Sequence, residues 1–156
     1  MKKAFVFLAE GFEEVEALTV VDLLRRAQIE VTTISLSGNL KVTGAHLISV
    51  TADVLCSKGS YSSGDAIIIP GGMPGTKNIL ENRNALELIN YYNENNKLVS
   101  AICAAPSVLG QLGILKGKKA VCYPGFEDKL TGAEVLKEEV VEDGNIITSR
   151  GMGTAI

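Results

Sequence analysis

The sequence predicts an α/β protein built on a mostly parallel sheet with helices on both faces. Three features carry that expectation. Ala66–Ile69 is a wholly apolar run, the kind that suits a central strand buried on both sides. Other stretches place apolar residues at three- and four-residue steps, the helical period. Strand and helix patterns alternate through the first two-thirds of the chain, and such alternation produces parallel sheets.

The elements follow in order. Lys3–Leu8 is a first strand, and Glu10-Gly11 a turn. From about Glu13 to Gln28 the period is helical, with Glu16, Val20, Leu23, Leu24 and Ala27 on the face expected to pack on the sheet. Glu30–Leu36 is a second strand, and Leu40–Val50 a hairpin or pair of short strands turning near Gly44. A loop over Ser57–Gly64 leads to Ala66–Ile69, which runs into Pro70-Gly71-Gly72-Met73-Pro74-Gly75. Helices are expected over Thr76–Glu81 and Ala85–Asn95, then a strand over Lys97–Ile102. Ala105–Leu112 is a helix stopped by Gly113. Lys119–Cys122, Glu138–Glu142 and Asn145–Ser149 read as strands, the last two joined by a tight hairpin at Asp143-Gly144.

The 156 residues, 46% hydrophobic and 21% charged, fit a single domain spanning 1–156 with a real core. A net charge of −3 with no basic run argues against a nucleic-acid partner. The apolar stretch from Ala4 stops at Glu10, too short for a signal-peptide core, and no window reaches the length of a membrane span. A cytoplasmic protein without membrane contact is the expectation. Cys56, Cys103 and Cys122 are far apart and His46 is the single histidine, so neither a metal site nor a disulfide framework is expected.

Sites in open parallel sheets form beyond the carboxyl ends of strands. Three such ends carry unusual chemistry here. After the first strand come Glu13, Glu14 and Glu16. An acid in a first helical turn favours the helix dipole, which accounts for Glu14. Glu16 lies on the sheet-facing stripe, where desolvation raises a carboxyl pKa, and Glu13 borders it. At the second end, Gly71-Gly72 can present backbone N–H groups to a cleft, as an oxyanion hole does. The third end is Ser100-Ala101-Ile102-Cys103-Ala104-Ala105-Pro106, which puts Cys103 in a strand-to-helix bend. A helix start stabilises a thiolate, so the Cys103 pKa is expected to fall. No histidine follows Cys103 to act as its base, which leaves Glu16 as the proton partner.

Taken together, these segments resemble the ThiJ/PfpI superfamily, and within it the branch of Parkinsonism-associated protein deglycases ("DJ-one"). The likeness rests on Leu8-Ala9-Glu10-Gly11-Phe12-Glu13-Glu14-Val15-Glu16, Val21–Ala27, Pro70-Gly71-Gly72, Ala101–Pro106 and Thr148-Ser149-Arg150-Gly151. It implies a flavodoxin-like sheet and a homodimer that uses the first helix. It puts the reactive cysteine at Cys103, its glutamate at Glu16 and backbone oxyanion donors at Gly72 and Ala104. The activity implied is a cofactor-free glyoxalase or deglycase acting on small dicarbonyls such as methylglyoxal, or on early glycation adducts. The alternative is a redox-sensing stress protein or chaperone whose Cys103 oxidises to a sulfinate. A cysteine peptidase or amidohydrolase is weakened by Ala104, where the protease-like branch has histidine. Tyr123 stands where some relatives have another histidine, and His46 where some have arginine. Glu13, Gly71, Tyr123 and His46 are therefore candidate auxiliary residues. Relatives continue into a C-terminal helix, whereas this sequence stops at Ile156, so the fold is expected to lack that helix.

Overall fold

A computed structural model describes residues 1–156. The elements are β1 (Lys3–Leu8), α1 (Glu14–Arg26), β2 (Glu30–Ser35), β3 (Lys41–Thr43), β4 (Ser49–Thr51) and β5 (Val54–Leu55). After a loop come β6 (Ala66–Ile69), α2 (Gly75–Leu80), α3 (Arg83–Glu94), β7 (Leu98–Ile102) and α4 (Pro106–Gln111). The chain continues through β8 (Lys119–Ala120), β9 (Glu134–Val135), β10 (Val140–Asp143) and β11 (Ile146–Ser149).

Seven strands form one sheet in the order β10-β11-β7-β6-β1-β2-β5. Every pairing in it is parallel except the β10–β11 hairpin. The chain winds outward in one direction from β1 to β2 and in the other from β6 to β7. The reversal between β1 and β6 opens a crevice at their carboxyl ends, where such folds bind ligands. No helix is long and apolar enough to cross a membrane.

Alternation along the strands builds two cores. Phe5, Phe7, Ile67, Ile69 and Val99 face one way, against Ile79 of α2, Ile89 and Tyr92 of α3, and Val108 and Leu109 of α4. Ala4, Val6, Val31 and Ile68 face the other, against Val20, Val21 and Leu24 of α1. Helices thus cover both faces, three on one and one on the other. Beside α1 an open groove of about 350 Å³ remains, lined by Leu24, Ile29, Ala66, Ile68 and Leu98.

The expected face of α1 needs correction. Its buried residues are Glu14, Glu16, Ala17 and Val21, while Leu23 is 40% exposed and Ala27 lies in solvent. The cause is at the start of the helix. Phe12 and Ala17 pack with Leu8, Val42 and Ala52 beneath the β3–β4 hairpin, which rolls the helix toward a 14-17-21-24 stripe. The strand expected over Lys119–Cys122 is regular only at Lys119–Ala120, where it pairs with β9, a strand the period did not reveal.

Candidate active site

Cys103 occupies the bend after β7 with φ at 65°, a left-handed conformation that a side chain disfavours. Its neighbours hold it there. The Cys103 N–H donates to the Ser149 carbonyl (3.0 Å), and the Cys103 carbonyl accepts the Tyr123 N–H (2.8 Å). Ala104 and Ala105 follow, both buried, and Pro106 opens α4. Ser149 of β11 and Tyr123, beyond β8, therefore clamp the Cys103 backbone from two sides.

The glycine pair after β6 lies between Cys103 and Glu16. The Gly71 N–H donates to Glu16 Oε2 at 2.9 Å. A Cβ on Gly71 would stand 2.7 Å from the Cys103 Cβ and 2.7 Å from Glu16 Oε2, so only glycine fits between them. The Gly71 carbonyl accepts the Glu13 N–H at 2.9 Å, and Glu13 Oε2 caps α1 by accepting the Glu16 N–H at 2.7 Å. Gly72 adopts φ +92°, and a Cβ there would lie 2.4 Å from the Glu13 nitrogen. The three strand ends are thus knitted by backbone contacts that bring a thiol and a carboxyl together.

A side-chain hydrogen bond couples the Cys103 thiol to the Glu16 carboxyl. Glu16 is 1% exposed, and burial lifts its pKa from 4.5 to about 7. The Gly71 N–H and the Cys103 thiol pull it back in part, while the Glu13 charge adds to the rise. At Cys103, burial and then the Glu16 charge push the thiol up to about 12, against the N–H groups of Ala104 and Gly72, which pull it down. The fall expected at a helix start is thus overturned: the N–H groups of Ala104, at that start, and of Gly72, beyond β6, favour a thiolate, but burial and then the Glu16 charge outweigh them.

The remaining candidates fall into place around this pair. Tyr123 is half exposed at the mouth of the bend, its ring 3.2 Å from where a Gly151 Cβ would stand. His46 sits in the β3–β4 turn, and its imidazole partners are Glu14 and Glu13. Glu14, accounted for above as a dipole residue, is 5% exposed and clamps that turn. Its Oε1 accepts the His46 N–H at 2.7 Å and the Ile48 N–H at 3.4 Å, and its Oε2 lies 2.8 Å from His46 Nδ1. The stripe spacing 14-17-21-24 carried that signal, but an acid at its first position hid it. The ligating atoms of Glu13, Glu14 and His46 lie within 4.8 Å of one another, but the oxygens already bind N–H groups that a cation would have to displace.

Between α2 and α4, Met73, Thr76, Ser107 and Phe126 line an open cavity of about 600 Å³, whose walls do not include Cys103 or Glu16. Cys122 is buried and Cys56 half-buried, and burial pushes both thiols up.

Comparison with known proteins agrees with this architecture. The model of the DJ-1/PfpI family matches residues 2–156. Protein DJ-1 homologs B and A of Arabidopsis thaliana are 37% and 38% identical over 150 residues each, covering 96% of this chain. The chain spans only about a third of their length, 34% and 38%. A deglycase of Pyrococcus horikoshii is 32% identical over 95% of this chain and 89% of its own. Among solved structures, Toxoplasma gondii DJ-1 in an oxidised form superposes with a TM-score of 0.96 at 36% identity, covering 100% of this chain and 85% of the other.

Proposed function

Because the chain belongs to the DJ-1/PfpI family, we propose that it is a cysteine-dependent glyoxalase or deglycase that needs no cofactor. The single observation carrying this reading is the Cys103 thiol set beside a buried Glu16 carboxyl across Gly71, with backbone donors at Gly72 and Ala104. One relative bears the name deglycase.

The geometry supplies each step with a group. Glu16 takes the thiol proton, and the Cys103 thiolate adds to the aldehyde carbon of a dicarbonyl such as methylglyoxal. The new alkoxide lies by the N–H groups of Gly72 and Ala104 and collects a proton, giving a hemithioacetal. Glu16, which returned its proton to that alkoxide, removes the proton from the former aldehyde carbon to give an enediol and delivers it to the neighbouring carbon, while the hydroxyl proton passes to the second oxygen, which converts the adduct to a thioester. Water hydrolyses the thioester, releasing lactate and restoring the thiol. Turnover of methylglyoxal to lactate, followed in wild type and Cys103→Ser, tests the reading. Retained turnover in the variant overturns it.

A second reading has its own support. A Glu16 that titrates near 7 can donate a hydrogen bond to an oxidised Cys103, stabilising a sulfinate in a redox-sensing role. A homodimer belongs to either reading. Val15 and Leu18 of α1, with Leu47 and Ile48 of the adjoining turn, expose apolar side chains that a second copy would cover.

A further inference from the structure

The cluster of Glu13, Glu14 and His46 takes no part in the reaction above, yet it touches the site through one residue. Glu13 Oε2 binds the Glu16 N–H at 2.7 Å, and Glu13 Oε1 lies 3.8 Å from His46 Nδ1. We propose that His46 is a positioning residue that controls how firmly Glu16 holds its proton, acting through the carboxylate of Glu13. The inference rests on the role given to Glu16 and Cys103 above.

The imidazole is held for that task. Gly44 lets the turn close on Glu14, because a Cβ there would stand 2.3 Å from the Glu14 carboxyl. Burial pushes the Glu14 pKa up, but hydrogen bonds from the His46 side chain and the His46 and Ile48 N–H groups hold it below the usual carboxylate range. Glu14 is therefore ionised, and at 2.8 Å it requires a proton on His46 Nδ1. Nε2 is left as the nitrogen that titrates, on a side chain 68% exposed. The hydrogen bond to Glu14 raises the His46 pKa above its usual value.

The sign follows from charge. With His46 protonated, the cluster carries one net negative charge; with His46 neutral, it carries two. Negative charge beside Glu16 favours its protonated form. As pH rises and His46 gives up its proton, Glu16 keeps its own more tightly, so a neutral acid beside the thiolate persists further into the alkaline range. The other groups facing these residues do not reverse this. Cys103 and the Gly71 N–H face Glu16 from the other strand ends, and Glu10 is a further acid on the hairpin, bonded to the Thr43 N–H at 3.2 Å.

The test follows the Glu16 carboxyl carbon by NMR against pH in wild type, His46→Gln and His46→Arg, alongside peptide-resolved alkylation of Cys103. The Glu16 midpoint is expected to be lower in His46→Arg than in His46→Gln by roughly half a pH unit, with the gap closing at high salt. Wild type should follow the arginine variant at low pH and the glutamine variant at high pH. Superimposed midpoints, or equal displacement of both variants in one direction, overturn the proposal and leave His46 a packing residue of the turn. Should either variant fail to fold, wild type decides alone. Its single imidazole resonance reports the His46 midpoint, and a Glu16 trace with no inflection at that pH overturns the proposal. A Cys103 that resists alkylation at every pH sinks the enzymatic reading instead, while the carbon trace still decides this one.

Discussion

Replacing Glu16 with glutamine separates the thermodynamic role of the carboxyl from its chemical one. Glu16 is 1% exposed, and its pKa rises from 4.5 to about 7 on folding. A carboxyl that binds its proton more tightly when folded contributes its full stability below pH 4.5 and loses it as pH climbs through 7. The interval between those values, at about 1.4 kcal/mol for each pH unit, comes to about 3 kcal/mol. Glutamine keeps the shape and an oxygen for the Gly71 N–H but never ionises. The two proteins should therefore agree to within about 0.5 kcal/mol at pH 4.5, while at pH 8.5 the variant should be more stable by about 3 kcal/mol. Urea unfolding at both pH values, with matched slopes, measures the difference directly. The variant should nonetheless lose about 10²- to 10⁴-fold in turnover, since it cannot carry a proton. A stability difference that stays flat between the two pH values would refute the buried carboxyl with a raised pKa.

Glu14→Gln should show the opposite pH dependence. Its folded pKa is lowered, so its contribution is present above 4.5 and lost as pH falls through the folded value. The variant should cost about 1–3 kcal/mol at pH 7 and progressively less in acid, read from the same unfolding curves. Gly71→Ala should remove most turnover and cost about 1–3 kcal/mol, because the new methyl must displace both the Cys103 Cβ and Glu16 Oε2; steady-state kinetics with full activity would contradict the geometry. Mild peroxide followed by peptide mass spectrometry should find Cys103 oxidised ahead of Cys56 and Cys122. Cys122 is 3% exposed, and burial alone raises Cys56, whereas Cys103 has an acceptor for its proton and two N–H donors. Earlier oxidation of either other cysteine would count against the site.

Most of the fold was legible because its central strands are short apolar runs between glycine-rich turns. Ala66–Ile69 falls where its composition put it, and Gly144 turns the β10–β11 hairpin with φ at 64°. Two-residue strands escaped, since Val54–Leu55 and Glu134–Val135 are too short to show a period. β5 is recruited by a tertiary contact, the Asp53 carboxylate accepting from both the Thr33 N–H and its hydroxyl at 2.8 Å. The phase of α1 was misread for a related reason. A period search weighs apolar residues and passes over Glu14, a carboxylate buried because a neighbouring turn brings N–H groups to it.

The site shows the same division between what a chain states locally and what only folding assembles. Cys103, Glu16 and the glycine pair are recognisable because each follows a strand, and parallel strands deliver their ends to one edge. The protonation of the site is not local. A thiol at a helix start is expected to ionise, but that expectation belongs to an isolated helix end, and here burial of the sulfur and then the Glu16 charge stand against it. Each group opposes the charge of the other, so near pH 7 the thiol keeps its proton and Glu16 is about half ionised. On the proposed mechanism an electrophilic carbon at the sulfur draws the thiol proton onto Glu16, and the acid so formed stands ready to return it. A site with a permanently ionised thiol would lack that acid. In the proposed mechanism, setting a carboxyl that titrates near 7 beside a suppressed thiol is what would let Cys103 act as nucleophile while Glu16 serves as the proton carrier.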